Sequence, residues 1–122
     1  MPHRVLIVDD AMFMRAMIRD ILVNSNRYEV VGEASNGQEC VELYGRLRPD
    51  LVTMDIVMPQ MDGIEATREI LKADSRARVV MCSALGQEAL VIESIAAGAK
   101  DFIVKPFSAE KVLKVLDAVV SA

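Results

Sequence analysis

The stretch Val5-Leu6-Ile7-Val8-Asp9-Asp10-Ala11-Met12 runs four branched apolar residues straight into two adjacent carboxylates. A single aspartate after a strand is an ordinary cap for the helix that follows. Two in a row, followed directly by the apolar Ala11-Met12-Phe13-Met14, need a partner from elsewhere in the chain.

Working outward, four more short runs rich in β-branched residues follow the first. The predicted strands are Arg4–Val8, Tyr28–Gly32, Asp50–Met54, Arg78–Cys82 and Asp101–Val104. They carry little polar alternation, as parallel strands buried on both faces do. Helix-length segments with apolar residues at three-and-four spacing separate them. Their predicted inner faces are Met14, Met17, Ile18, Ile21 and Leu22; Cys40, Val41, Tyr44 and Leu47; Ile64, Thr67, Ile70 and Leu71; Ile92, Ile95 and Ala96; and Val112, Leu116, Val119 and Val120. Met12, Met14 and Met17 are read as core filler rather than as a metal or partner stripe.

The punctuation agrees. Asn36-Gly37 opens the second helix, Met58–Gly63 makes the turn before the third, Gly98 stops the fourth, and Ser108 caps the fifth. Five successive βα units predict a doubly wound α/β fold: a five-stranded parallel sheet with five flanking helices. No linker or composition shift divides the 122 residues, so residues 1–122 are read as one domain.

Composition narrows the function. The chain is 52% hydrophobic and 26% charged, an ordinary globular balance. Its net charge of −4 gives no basic footprint for nucleic acid. No apolar run approaches the roughly 20 residues that span a bilayer, and the start lacks a signal peptide's apolar region, so a cytoplasmic location is expected. Cys40 and Cys82 are read as buried thiols, and His3 as part of a flexible terminus that cannot build a metal site alone.

In a doubly wound sheet every strand ends at one edge, and ligands bind there. The first strand delivers Asp9 and Asp10 to that edge, the third Asp55, the fourth Ser83 and the fifth Lys105. Two like charges about 4 Å apart repel by roughly 4 kcal/mol at an effective dielectric of 20. Three carboxylates sum several such terms against a domain stability of only about 5–15 kcal/mol. Either protons or a cation must offset them, and oxygen ligands at a partly open edge suit Mg²⁺. A carboxylate, a divalent cation, an ammonium and a hydroxyl around one point are the components of phosphoryl transfer, with Asp55 as the nucleophile. No GxxxxGK[ST] loop is present to hold a nucleotide.

Together these motifs, from Val5–Asp10 through Asp50–Gly63 and Met81–Gln87 to Ala97–Phe107, resemble response-regulator receiver domains. The resemblance is strongest to the stand-alone chemotaxis regulators of the CheY type. It implies a flavodoxin-like strand order of 2-1-3-4-5. It also implies Asp55 as phosphoacceptor, Asp10 as a direct Mg²⁺ ligand with Asp9 as the second acid, and the main-chain carbonyl of Val57 as a further ligand. Lys105 matches the phosphate-binding lysine, with a cis bond before Pro106, and Ser83 the switch hydroxyl. Phe102 stands where the family places an aromatic switch residue, often Tyr; a plain core aromatic is the alternative. Val91, Val104 and Lys111 are expected on the output face formed by the fourth helix, fifth strand and fifth helix, with Val91 exposed beside a buried Ile92/Ile95 stripe.

The implied role is a phosphoacceptor switch rather than an enzyme. The implied partners are a sensor histidine kinase of the CheA type, a flagellar switch protein of the FliM type and a dedicated phosphatase, with the chain itself a monomer. Two other classes fit less well. A flavin module would repel its phosphate from three acids, and the Asp9–Arg15 loop lacks Ser, Thr and Gly donors. An aspartyl-phosphate hydrolase needs a second acid just after the nucleophile, where this chain has Ile56 and Val57. Within the receiver reading, the N-terminal receiver of a longer regulator is the alternative; the stop after the fifth helix is read in favour of a stand-alone protein.

Overall fold

A computed structural model describes residues 2–122. Strands and helices alternate strictly: β1 His3–Val8, α1 Met12–Ser25, β2 Tyr28–Ala34, α2 Gly37–Leu47, β3 Leu51–Asp55, α3 Gly63–Ala73, β4 Val79–Ser83, α4 Glu88–Ala96, β5 Asp101–Val104 and α5 Ala109–Ser121. All strand pairs are parallel, in the order β2-β1-β3-β4-β5.

The unbroken apolar runs are explained by burial on both sides. Leu6 and Val8 of β1 face a core completed by Cys40 and Tyr44 of α2 and by Ile64 and Ile70 of α3. Val5 and Ile7 face the opposite core, completed by Ile18 and Leu22 of α1 and by Val112, Leu116 and Val119 of α5. Fully burying a side chain of this size stabilises by about 1.5–3 kcal/mol, so two such cores account for the interior position of β1. Cys40 and Cys82 are buried and free, as expected, and burial pushes both thiols up to about 12.

The predicted helix starts are present. Asn36 accepts from the Glu39 N–H at 2.8 Å, Asp62 from Glu65 at 2.9 Å and Ser108 from Lys111 at 3.2 Å. Gly98 sits at φ 114° just past α4, in the left-handed region that lets glycine end a helix. Gly63 is required for space: a Cβ there would lie 2.2 Å from the Asp55 carbonyl oxygen. Two acids tie helices down away from the site. Asp117 of α5 accepts from Tyr28 at 2.6 Å and Arg27 at 2.8 Å, and Asp74 accepts from Tyr44 at 2.8 Å.

Three expectations need correction. The buried side of α4 is not Ile92, Ile95 and Ala96, all of which are exposed; it is Ser94, flanked by half-buried Leu90, Val91 and Ala97. This short helix carries apolar residues on two faces, and a serine at the centre of the inner one hides it. The Ser94 hydroxyl donates to the Leu90 carbonyl at 2.7 Å, which makes its burial tolerable. In α1, Met12 and Met17 are exposed rather than core filler, because Ile18 and Leu22 occupy the middle of the buried stripe. His3 is not in a flexible terminus. It opens β1, donates its backbone N–H to Arg27 at 3.0 Å and sets its ring 5.9 Å from that of Tyr28.

Candidate functional site

Backbone pairing brings the polar strand ends to one edge. Asp55 and Ser83 are the last residues of β3 and β4, each one position further into the strand than expected. Asp9 and Lys105 directly follow β1 and β5. The Asp9 N–H donates to Ala34 at 3.1 Å, and the Lys105 N–H donates to Ser83 at 2.7 Å. These bonds fix where the side chains start.

The Lys105 ammonium lies 3.3 Å from Asp9 Oδ2 and 3.2 Å from Asp55 Oδ1. One oxygen each from Asp9, Asp10 and Asp55 fall within 4.8 Å of one another. Asp9 is buried, Asp55 is 8% exposed and Asp10 is open to solvent. Asp9 Oδ1 also accepts the Ala11 N–H at 2.9 Å, so this acid doubles as an anchor for the start of α1. Three carboxylates against one ammonium leave a formal charge of −2.

Burial, reinforced by Asp9 and slightly by Asp10, lifts the Asp55 carboxyl from 3.8 to about 6, with Lys105 opposing. Burial alone lowers the affinity of the Lys105 amine for its proton, but Asp55 and Asp9 outweigh it and raise the pKa. The site therefore holds negative charge that its own lysine does not cancel. All its donors are oxygens, and one is solvent-facing, so the residues present fit a hard divalent cation.

Arg15 is a residue that the sequence reading did not single out. Its Nη1 donates to the Asp9 carbonyl at 2.6 Å and its Nε pairs with Glu33 at 3.1 Å, while Arg19 pairs with the same glutamate. Only the β1–β2 register, which sets Glu33 beside Ile7, exposes this link.

The cluster is completed by the cis bond between Lys105 and Pro106. Two acids after the first strand, an acid ending the third, a hydroxyl ending the fourth and a Lys–cis-Pro after the fifth now stand at one edge. Residues 5–117 match the family described as response regulator receiver domain. The chain belongs to that family.

Among relatives of this receiver domain, Chemotaxis protein CheY of Bacillus subtilis is 62% identical over 117 residues, covering 96% of this chain and 97% of its own. Chemotaxis protein CheY of Thermotoga maritima is 59% identical over 119 residues and 98% of each chain. Among solved structures, the CheX-CheY-BeF3-Mg complex from Borrelia burgdorferi includes a chain that superposes with a TM-score of 0.91 at 42% identity. That match covers 98% of this chain and 90% of the other.

Beside the receiver's carboxylates lies a cavity of about 500 Å³ between α4 and β5, lined by Ser83, Leu85, Val91, Ile92, Phe102 and Val104 among others. Four expected residues therefore meet here: Ser83, Phe102, Val91 and Val104. Val91 reaches the cavity from the half-buried side of α4 rather than from an exposed one, while Ile92 is 71% exposed. The Phe102 ring is 38% exposed, so it is not a plain core aromatic in this state. Lys111 is exposed in the first turn of α5 and does not line the cavity. Val57 follows β3 with its side chain in solvent.

Proposed function

We propose that this receiver domain is a chemotaxis response regulator that takes a phosphoryl group from a sensor histidine kinase of the CheA type onto Asp55. The single observation that carries this reading is the Lys105 ammonium held between Asp55 and Asp9, 3.2 and 3.3 Å away. A carboxylate oxygen of Asp55 attacks phosphorus as the bond to the donor's imidazole nitrogen breaks, and the bonding pair leaves with that nitrogen. With its pKa at about 6, Asp55 is mostly ionised at neutral pH and ready to attack. The Lys105 ammonium is poised to follow the new phosphoryl oxygens and offset their charge. Asp9, Asp10, Asp55 and the main-chain carbonyl of Val57 would hold magnesium, which when bound neutralises further phosphoryl charge.

The output follows from the same edge. A dianion on Asp55 draws the Ser83 hydroxyl toward it, which moves the Ala84–Gln87 loop at the start of α4. The cavity behind that loop then receives the Phe102 ring, a discrete change of the α4, β5 and α5 face. That face, with Val104 and Lys111 at its border, binds a flagellar switch protein of the FliM type. The protein acts as a cytoplasmic monomeric switch rather than as an enzyme, and a separate phosphatase resets it.

Intact-mass spectrometry with Mg²⁺ and acetyl phosphate tests the chemistry. Wild type gains one phosphoryl group, Asp55→Asn gains none, and Asp10→Ala loses labelling while its circular dichroism stays native. Equal labelling of wild type and Asp55→Asn would overturn the assignment.

A further inference from the structure

At the end of the sheet opposite Asp55, a cavity of about 440 Å³ opens between the starts of β4 and β5 and the last turns of α5. Arg76, Arg78 and Lys100 line it, together with Asp101 and a small apolar floor that includes Ala118 and Val119. The sheet register brings the cations together. The Lys100 N–H donates to Val79 at 2.8 Å, so Lys100 sits beside the start of β4, and Arg76 and Arg78 are two apart in the segment leading into it.

None of these three side chains has an ion-pair partner among the described residues. Elsewhere the arginines are largely matched: Arg15 with Glu33, Arg27 with Asp117, Arg48 with Asp74 and Arg68 with Glu93. The plain structural role for such cations is to offset the C-terminal end of α5, which carries about half a negative charge. Three cations less Asp101 leave +2 on the side chains, and +1 with the main-chain carboxylate of Ala122, which also lines the hollow, still more than that half charge. A local positive hollow in a chain of net charge −4 is thus an oriented feature.

We infer that this hollow docks an acidic segment of a partner protein, with carboxylates on Arg76, Arg78 and Lys100 and an apolar side chain on the Ala118–Val119 floor. The apolar floor and the carboxylate of Asp101 set it apart from a phosphate-tracking surface, which needs cations spread along a stripe. Docking here leaves the Asp55 edge uncovered, so the inference stands or falls independently of the phosphoryl reading.

The test is an NMR titration of the full chain with an acetylated, amidated peptide alternating glutamate and leucine, with a glutamine-for-glutamate peptide as control. Amide shifts are expected to cluster at Arg78, Lys100, Asp101 and Val119. Affinity should fall at least about tenfold between low and high salt, because exposed charges are screened. It should fall similarly in Arg78→Glu/Lys100→Glu and in the milder Arg76→Gln/Lys100→Gln, both still labelled normally by acetyl phosphate. Shifts centred elsewhere, equal binding of the glutamine peptide, or unchanged affinity in both variants would overturn it. So would tighter binding of a single-stranded oligonucleotide at these residues, or dimerisation of the wild type in sedimentation that Lys100→Glu abolishes.

Discussion

The Lys105 ammonium stands 3.2 Å from Asp55 Oδ1, joining residues 50 positions apart across the top of the sheet. It is an incomplete neutralisation, since Asp9 shares the same ammonium at 3.3 Å and Asp10 adds a further charge nearby.

Asp55→Asn should therefore stabilise the metal-free protein at neutral pH. The folded-state pKa of about 6 lies above the ordinary 3.8, so the folded state holds this proton more tightly than the unfolded chain does. That contribution is full below about pH 4 and is lost as pH climbs through about 6. The cost at pH 7 is on the order of 2 kcal/mol. Urea denaturation in EDTA at pH 5 and 7.5 checks it: wild type weakens across that window, whereas the variant loses this component of the pH dependence and is more stable at 7.5. Added Mg²⁺ should restore wild type by mass action.

Gly63→Ala should damage the site through the backbone. The added methyl would meet the Asp55 carbonyl oxygen at 2.2 Å and the Ile56 Cα at 3.0 Å, neither of which can swing away. Overpacking of this kind costs about 1–3 kcal/mol. The acetyl phosphate labelling rate should drop together with the urea midpoint. A normal rate in a destabilised variant would show that the main chain yields without moving Asp55.

The phosphoryl group should decay slowly. Val57 and Leu85 lie two residues past Asp55 and Ser83, and at 53% and 77% exposed both are free to be exchanged at small cost in stability. Neither can hydrogen-bond an attacking water. Replacing them with Asn and Gln should speed loss of the phosphoryl group severalfold when followed by mass spectrometry in time. An unchanged decay would mean that water is positioned by other groups.

Two neighbouring substitutions in α4 should separate output from folding. Ile92→Glu, at a position 71% exposed, should leave stability within about 0.5 kcal/mol and weaken binding of a flagellar-switch peptide to the beryllofluoride-treated protein. Val91→Glu, on the half-buried side packed against the α2/α3 core, should instead destabilise by about 1–3 kcal/mol. Calorimetry for binding and urea curves for stability read the two apart. Ile92→Glu binding with native affinity would remove this face from the output.

The contrast between Val91 and Ile92 also marks the boundary of what the sequence discloses. The strands were legible because both faces are buried, which leaves runs such as Val5–Val8 uninterrupted until the edge carboxylates arrive. That same interruption picked out Asp9, Asp55, Ser83 and Lys105. A surface helix has to be read from periodicity, and in α4 the inner face is centred on Ser94 while Ile92 and Ile95 point outward. Polarity therefore misled, because the buried residue is polar and the exposed ones are apolar. Met12, Phe13 and Met17 in α1 are likewise apolar and exposed. The Arg15–Glu33 link and the Arg76, Arg78 and Lys100 hollow were hidden for another reason: they depend on which strands lie side by side, and no local pattern carries that.

The two native thiols have a practical consequence. With Cys40 and Cys82 sealed in the two cores and lifted to about 12, almost none of either is thiolate at neutral pH, and the thiolate is the reactive form. A cysteine placed at position 92 or 102 would take up a maleimide dye alone, leaving the native pair unmarked. The pair would then serve as an internal clock, since alkylation at Cys40 or Cys82 records only those moments when the interior opens.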